Sequence, residues 1–311
     1  MREGVTMRRS YLDCAREGVF SRGRYLLGTL SILFVWLSVG TLLSAGAVAL
    51  LAPAGVSIEE ALDDPELLGQ VEGFFALMVQ FIPFFLACLA VPLLFHQRSP
   101  KTLVTGMARI SWGRIGQGFV LWFGLVLIFE AIPYLADPGS YSLQREWRDL
   151  LLLLPLVLVL IPIQATAEEL FFRGYLLQWI SLRLRNVTAL AVISGAIFAL
   201  PHLFNPEAQG DVVVGLLNYF TFGFIIAYAA LQDGGLELAI GAHIANNIYA
   251  STVVTFEESA LQTPALFFAA NWDPLLSLAQ VLPAGVLFVV IAARWRRPED
   301  EPAAGAQEEV S

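Results

Sequence analysis

Three short polar clusters interrupt an otherwise apolar chain, and each is built from residue types that can move protons. The first is Glu168-Glu169-Leu170-Phe171-Phe172-Arg173. Successive residues of a helix lie ~100° apart, so the two glutamates cannot share a face. Glu169 and Arg173 are four apart with the acid nearer the N-terminus, the favourable order for an ion pair. Glu168 is then the freer carboxylate, available for general acid–base work, although an ion pair with a spare carboxylate fits the same residues. The second cluster is Phe198-Ala199-Leu200-Pro201-His202. Pro201 removes a backbone donor and kinks its helix, freeing the Ile197 carbonyl, so His202 is either a catalytic group or the partner of a freed carbonyl. The third is His243-Ile244-Ala245-Asn246-Asn247. His243 and Asn247 share one face beside Gly241 and Ala242, where a neighbouring helix can approach closely; polar contacts between helices fit these residues too.

The elements that carry these clusters are membrane helices. The 311 residues are 57% hydrophobic and only 14% charged, with a mean hydropathy of +0.68. Soluble domains carry ~25% charge, and one water-soluble core cannot absorb so much apolar surface. The pattern predicts an all-α polytopic bundle of about eight transmembrane helices, near 25–52, 74–95, 116–136, 150–181, 187–205, 212–231, 237–255 and 275–294. The fourth is too long for a perpendicular span and must tilt, or run on as an amphipathic tail from Trp179 to Arg185. The first apolar stretch exceeds the ~7–15 residues of a signal peptide's core, which predicts a retained anchor.

Arginines fall on alternate loops. Arg2, Arg8, Arg9, Arg16, Arg22 and Arg24 precede the first span. Arg98, Lys101, Arg109 and Arg114 follow the second, Arg183 and Arg185 the fourth, and Arg294, Arg296 and Arg297 end the last. The intervening loops carry Glu59, Glu60, Asp63, Asp64, Glu66, Glu257, Glu258 and Asp273; only Arg145 and Arg148 break the pattern. Both termini are therefore predicted cytoplasmic, with an even number of spans. Every basic residue but Lys101 is arginine, a bias that suggests a GC-rich prokaryotic genome and a prokaryotic cytoplasmic membrane. The expected organisation is an Arg-rich cytoplasmic leader (1–24), three accessory transmembrane helices (25–148), a core carrying the clusters (149–255), an outer loop with the last helix (256–297) and a disordered acidic tail (298–311). No basic stripe or aromatic platform supports a nucleic-acid partner.

Charge within a bilayer is expensive, which makes polar residues inside the spans candidates for function. At ~1.5 Å per residue, Glu168 and His202 lie ~20 Å, Asn247 ~15 Å and His243 ~10 Å from the Arg-rich ends, so they can converge on one cavity. Glu130 is a lone carboxylate in the third span that can line the cavity, pair with an arginine or sit protonated. His96 reads as an interfacial residue, and Cys14 and Cys88 as free thiols.

Glu168-Glu169-x-x-x-Arg173, Phe198-x-x-x-His202 and His243-x-x-x-Asn247, in that order on successive apolar helices, resemble the CPBP family of intramembrane peptidases. These are the type II CAAX-prenyl endopeptidases and their bacterial relatives linked to bacteriocin processing and immunity. The match covers roughly 149–255. The resemblance implies an intramembrane endopeptidase with a cavity open to the cytoplasm, acting on a membrane-associated or lipid-anchored peptide. It assigns Glu168 as general base, His202 as its partner in activating water, His243 and Asn247 to the oxyanion, and Glu169 with Arg173 to holding the site in shape. Glu168, His202 and His243 could also supply a His/His/Glu zinc set. No H-E-x-x-H is present, and a metal-free glutamate mechanism is equally consistent. The rivals are a catalytically silent scaffold or immunity protein on the same fold, and a secondary transporter, which would normally show repeat symmetry. Membrane lipid and a peptide or protein substrate are the expected partners; oligomeric state is not encoded in these patterns.

Overall fold

The computed structural model describes residues 10–63, 65–144 and 147–295, with side chains 62, 63, 65 and 66 excepted. The first nine residues of the expected leader and the expected tail 298–311 lie outside the described residues. Seven helices among the described residues are long and apolar enough to cross a membrane: α1 (Arg22–Leu51), α2 (Gln70–His96), α3 (Trp112–Ala136), α4 (Trp147–Ser181), α5 (Val187–Phe204), α6 (Val212–Asp233) and, last in the chain, α8 (Pro274–Arg294). The remaining predicted segment forms α7 (Glu237–Thr252). Its 16 residues span ~24 Å, short of a ~30 Å hydrocarbon core. The chain is thus an all-α helix bundle, and its outward side chains suit lipid: Leu50, Leu94 and Leu135 are 87%, 74% and 74% exposed.

Three short strands join the loops at the acidic end of the bundle. β1 (Tyr141–Leu143) pairs antiparallel with β3 (Phe267–Ala269), which pairs parallel with β2 (Val254–Thr255). The opposite end is closed by a 3-10 turn, Tyr11–Arg16, within what the sequence marks as a polar leader. Tyr11, Cys14 and Ala15 are buried there. Gln178 donates to the Tyr11 and Thr102 carbonyls at 2.9 and 2.6 Å, Tyr25 donates to the Ala15 carbonyl at 2.9 Å, and Arg98 donates to the Cys14 carbonyl. His96 is fully buried in this seal, not interfacial: its ring nitrogens bond the Val19 carbonyl at 3.1 Å and the Tyr175 hydroxyl at 2.8 Å. A buried ring at the end of an apolar run looks interfacial in sequence because its partners come from distant segments. Cys14 and Cys88 are both buried, and neither is in a disulfide.

α7 is enclosed by the other helices, and small residues make that possible. A Cβ on Gly241 would lie 2.0 Å from the Ile115 carbonyl oxygen of α3, and one on Gly118 would lie 2.3 Å from the Leu238 carbonyl oxygen of α7. The two backbones therefore touch reciprocally, as small residues permit between membrane helices. Gly241→Leu is expected to separate α3 from α7 and destabilise the fold by ~1–3 kcal/mol or more, read as a lowered Tm in detergent. Gly124→Ala, at a site with open space around it, should leave Tm unchanged; equal shifts for both variants would refute the contact.

Candidate active site

The site begins with a change of helical pitch. α4 is a regular α-helix from Trp147 to Glu169 and then a π-helix from Leu170 to Leu176. Such wide turns are rare and often accompany functional positions. Upstream of the change, Gln164 and Glu168 share a face at a spacing of four; across it, Arg173 reaches back to Glu169. Arg173 Nη1 donates to Glu169 Oε1 at 2.9 Å with both side chains fully buried, and Nη2 donates to the Gly223 carbonyl of α6 at 3.3 Å. The guanidinium also lies 4.2 Å from the centre of the Phe198 ring of α5, close enough for a cation–π contact.

His243 of α7 stands between the two glutamates. Its Nδ1 is 2.8 Å from Glu169 Oε1 and its Nε2 is 3.6 Å from Glu168 Oε2. Phe198 and Phe222 meet the imidazole edge-on at 5.7 and 5.3 Å between centres, which fixes the plane of the ring. Glu168 Oε2 is buried and has no hydrogen-bond partner, whereas Oε1 is held by a chain of amides. Trp122 Nε1 donates to Asn246 Oδ1 at 3.2 Å, and Asn246 Nδ2 donates to Asn247 Oδ1 at 3.1 Å. Asn247 Nδ2 then donates to Gln164 Oε1 at 2.8 Å, and Gln164 Nε2 donates to Glu168 Oε1 at 2.6 Å. Every donor in that chain points toward the Glu168 carboxylate.

His202 sits on the 3-10 turn Leu200–Phe204 that ends α5 beside Pro201. Its Nδ1 donates to the Phe198 carbonyl at 2.8 Å, so a neutral ring presents Nε2 as an acceptor. Tyr219 of α6 stacks on that ring at 4.0 Å. The Tyr219 hydroxyl accepts from Asn205 at 2.8 Å and donates to Glu207, whose other oxygen accepts the Ala260 N–H at 2.8 Å. Glu207 lies between α5 and α6, and burial pushes its carboxyl above the usual carboxylate range against the lowering effect of these bonds.

A cavity of about 540 Å³ unites these groups. Gln164, Glu168, His202, His243 and Asn247 all line it; Glu169 and Arg173 do not, and stand behind it. The structure thus brings five of the six expected residues together in two bonded groups, Glu169–Arg173–His243 and Glu168–Gln164–Asn247, which meet at the 3.6 Å approach of His243 to Glu168; His202 is on the same cavity but not bonded to either group. Gln164, Asn246, Tyr219 and Glu207 went unassigned in the sequence. Gln164 carries a signal, since it is polar in an apolar run one turn before Glu168. Among the described residues, no group of three or more His, Cys, Asp or Glu is arranged to hold a metal ion. Glu168 and His243 approach one another, but His202, held by Phe198 and stacked on Tyr219, makes no contact with either. As arranged, the three do not fit a zinc site, which needs three protein donors at ~2.0–2.2 Å.

The cavity's other walls come from one end of the bundle. Asn205 and Glu207 lie between α5 and α6, and Phe256, Ser259 and Trp272 between α7 and α8. These are the acidic-loop ends, and none of the described arginines lines the cavity. A cavity opening on the Arg-rich side is therefore not what the lining describes, because that end is filled by Tyr11, His96 and Gln178.

A family model described as type II CAAX prenyl endopeptidase Rce1-like matches residues 149–249. YyaK of Bacillus subtilis (strain 168), itself uncharacterised, is 33% identical over 203 residues, covering 65% of this chain and 68% of that protein. This chain belongs to the Rce1-like family. It is an integral membrane protein of a CAAX intramembrane protease family, and the match spans all three polar clusters. No solved structure matches it.

In this Rce1-like chain the buried Glu169–Arg173 pair can be tested directly. Removing one member leaves the other uncompensated, at a cost of ~3–5 kcal/mol, whereas replacing both by apolar groups is far less costly. Arg173→Met alone is expected to lower Tm more than Arg173→Met combined with Glu169→Leu. Additive losses in the double variant would show that the pair is not coupled.

Proposed function

We propose that this chain is an intramembrane endopeptidase that hydrolyses a peptide bond in a membrane-associated or lipid-anchored peptide. The observation that carries the proposal is Glu168 Oε2, a buried acceptor without a hydrogen-bond partner, in a residue that lines a cavity shared with His202 and His243. In this reading, water donates one hydrogen to Glu168 Oε2 and another to His202 Nε2. Glu168 takes the proton as the water oxygen attacks the scissile carbonyl, and later delivers it to the leaving amine. His243, with hydrogens on both nitrogens, donates one to Glu169 and one to the developing oxyanion; Asn247 offers its second amide hydrogen to the same oxygen. Glu169 and Arg173 act by holding His243, not by touching substrate.

Glu168→Gln keeps the shape and loses the base, so it is expected to reduce cleavage of a membrane-anchored peptide library by ~10²–10⁴-fold; His202→Gln should fall in the same range. Both should melt within a few degrees of wild type. A chelator should leave wild-type turnover unchanged, and zinc-restorable inhibition would transfer the chemistry to a metal. Full activity in Glu168→Gln would remove that residue from the mechanism.

The arginine bias supports a cytoplasmic-membrane protein with both termini inside, and the cavity walls then lie toward the opposite face. In that orientation substrate enters from the non-cytoplasmic side. A membrane-impermeant maleimide should label Glu258→Cys in intact bacterial cells, and Arg185→Cys only after permeabilisation. Wild type, with Cys14 and Cys88 buried, is the blank. The reverse labelling pattern would invert the orientation.

A further inference from the structure

A second cavity, of about 180 Å³, adjoins the catalytic one and shares Asn246, Ala250, Phe256 and Trp272 with it. On its wall is Glu130, the carboxylate in the apolar run of α3. Glu130 Oε1 accepts from the Tyr141 hydroxyl at 2.9 Å and Oε2 from Gln280 Nε2 at 3.2 Å. Both partners are neutral, and no ion pair among the described residues includes Glu130. An ionised carboxylate at membrane depth normally has a cationic partner. Tyr249 lines the same cavity, and its hydroxyl is buried and has no hydrogen-bond partner. The rest of the wall includes the rings of Trp122 and Trp272, aliphatic side chains, and a second carboxylate, Asp273, which caps α8 by accepting the Leu275 N–H at 2.8 Å.

A carboxylate with only neutral partners, an orphaned hydroxyl oxygen and aromatic faces are together the environment that holds an organic cation. We infer that this cavity is a binding site for an alkylammonium group, presented by a lysine side chain or a free α-amino group of the substrate. The ammonium would donate to Glu130 and Tyr249 and rest against the indole faces. At this volume the cavity is below the ~300–1,000 Å³ of pockets that take whole small molecules, and suits a single side chain. Asn246 forms part of both cavities and hands its amide hydrogen to Asn247, so a group seated here lies beside the chain that orients Glu168. That the ammonium belongs to a substrate rests on the peptidase reading; the ammonium site itself does not.

The purified full-length protein, in detergent without added lipid, would be titrated with n-butylammonium chloride, read by tryptophan fluorescence, with n-butanol as the neutral control. Wild type is expected to show saturable binding for the ammonium only. Glu130→Gln should weaken it at least ~10-fold, and Tyr249→Phe by a smaller factor, with Tm unchanged in both. Equal responses to amine and alcohol, or unaltered affinity in Glu130→Gln, would overturn the site. Cleavage of lysine-containing peptides over their norleucine counterparts, lost in Glu130→Gln, would assign the ammonium to the substrate. Competition by phosphatidylethanolamine but not by the lysine peptides would assign it to lipid instead and overturn the substrate claim. Binding without any cleavage would leave the site standing and the peptidase reading refuted.

Discussion

A single buried ion pair ties the helices of the site together. Arg173 and Glu169 are fully enclosed, and each reaches beyond the other: the guanidinium to the Gly223 carbonyl and the face of Phe198, the carboxylate to His243. Four helices, α4 to α7, therefore meet through one pair of charges. Burying two ions is costly unless their remaining valences are filled, so this arrangement specifies a packing more than it stabilises one. Any displacement of α6 or α7 leaves a charge without a partner. Space is part of the same constraint, because a Cβ on Gly223 would come within 3.2 Å of Arg173 Nη2.

Around that pair the backbone departs from α-helix at the places where chemistry is expected. The π stretch starts at Leu170, directly after Glu169, and the 3-10 turn at Leu200 carries His202. The wide turn lets Glu168 face the cavity while Arg173 remains behind it. The tight turn, with Pro201 unable to donate, leaves the Phe198 carbonyl for His202 Nδ1 and so fixes which nitrogen faces the cavity. Local irregularity here sets side-chain direction, which regular α-helices of this length would not do.

Much of this was legible in the sequence, for physical reasons that also mark where legibility ends. The spans follow from apolar length, and the Glu169–Arg173 contact from spacing within one helix. Gly241 was identifiable as a contact because only a small residue admits a neighbouring backbone. Contacts that depend on which helices become neighbours were not legible. Gln164 joins Asn247 only because α7 lies against α4, and Glu207 reaches Ala260 across 53 residues of chain. The fate of His96 has the same cause: Val19 and Tyr175 lie 77 and 79 residues away. The short α7 satisfies the pattern of a span, yet enclosure by other helices frees it from having to cross the hydrocarbon alone.

The two ends of the bundle differ in a way that bears on how a hydrolase can work inside a membrane. At the Arg-rich end, Tyr11, His96, Tyr175 and Gln178 interlock through buried hydrogen bonds among the described residues. At the acidic end, loops and a three-stranded sheet surround two adjoining cavities whose walls carry acceptors: Glu168 Oε2, Glu130 and the Tyr249 oxygen. Acceptors of that kind are tolerable in lipid only when something donates to them. In the larger cavity water can do so, and in the proposed mechanism the acceptor that needs the water is also the base that activates it. In the neighbouring cavity, Tyr141 and Gln280 neutralise part of the demand without supplying a positive charge. Stability and the proposed selectivity are thus linked through one requirement: the polar groups that make these cavities costly to bury are those that would choose what enters them.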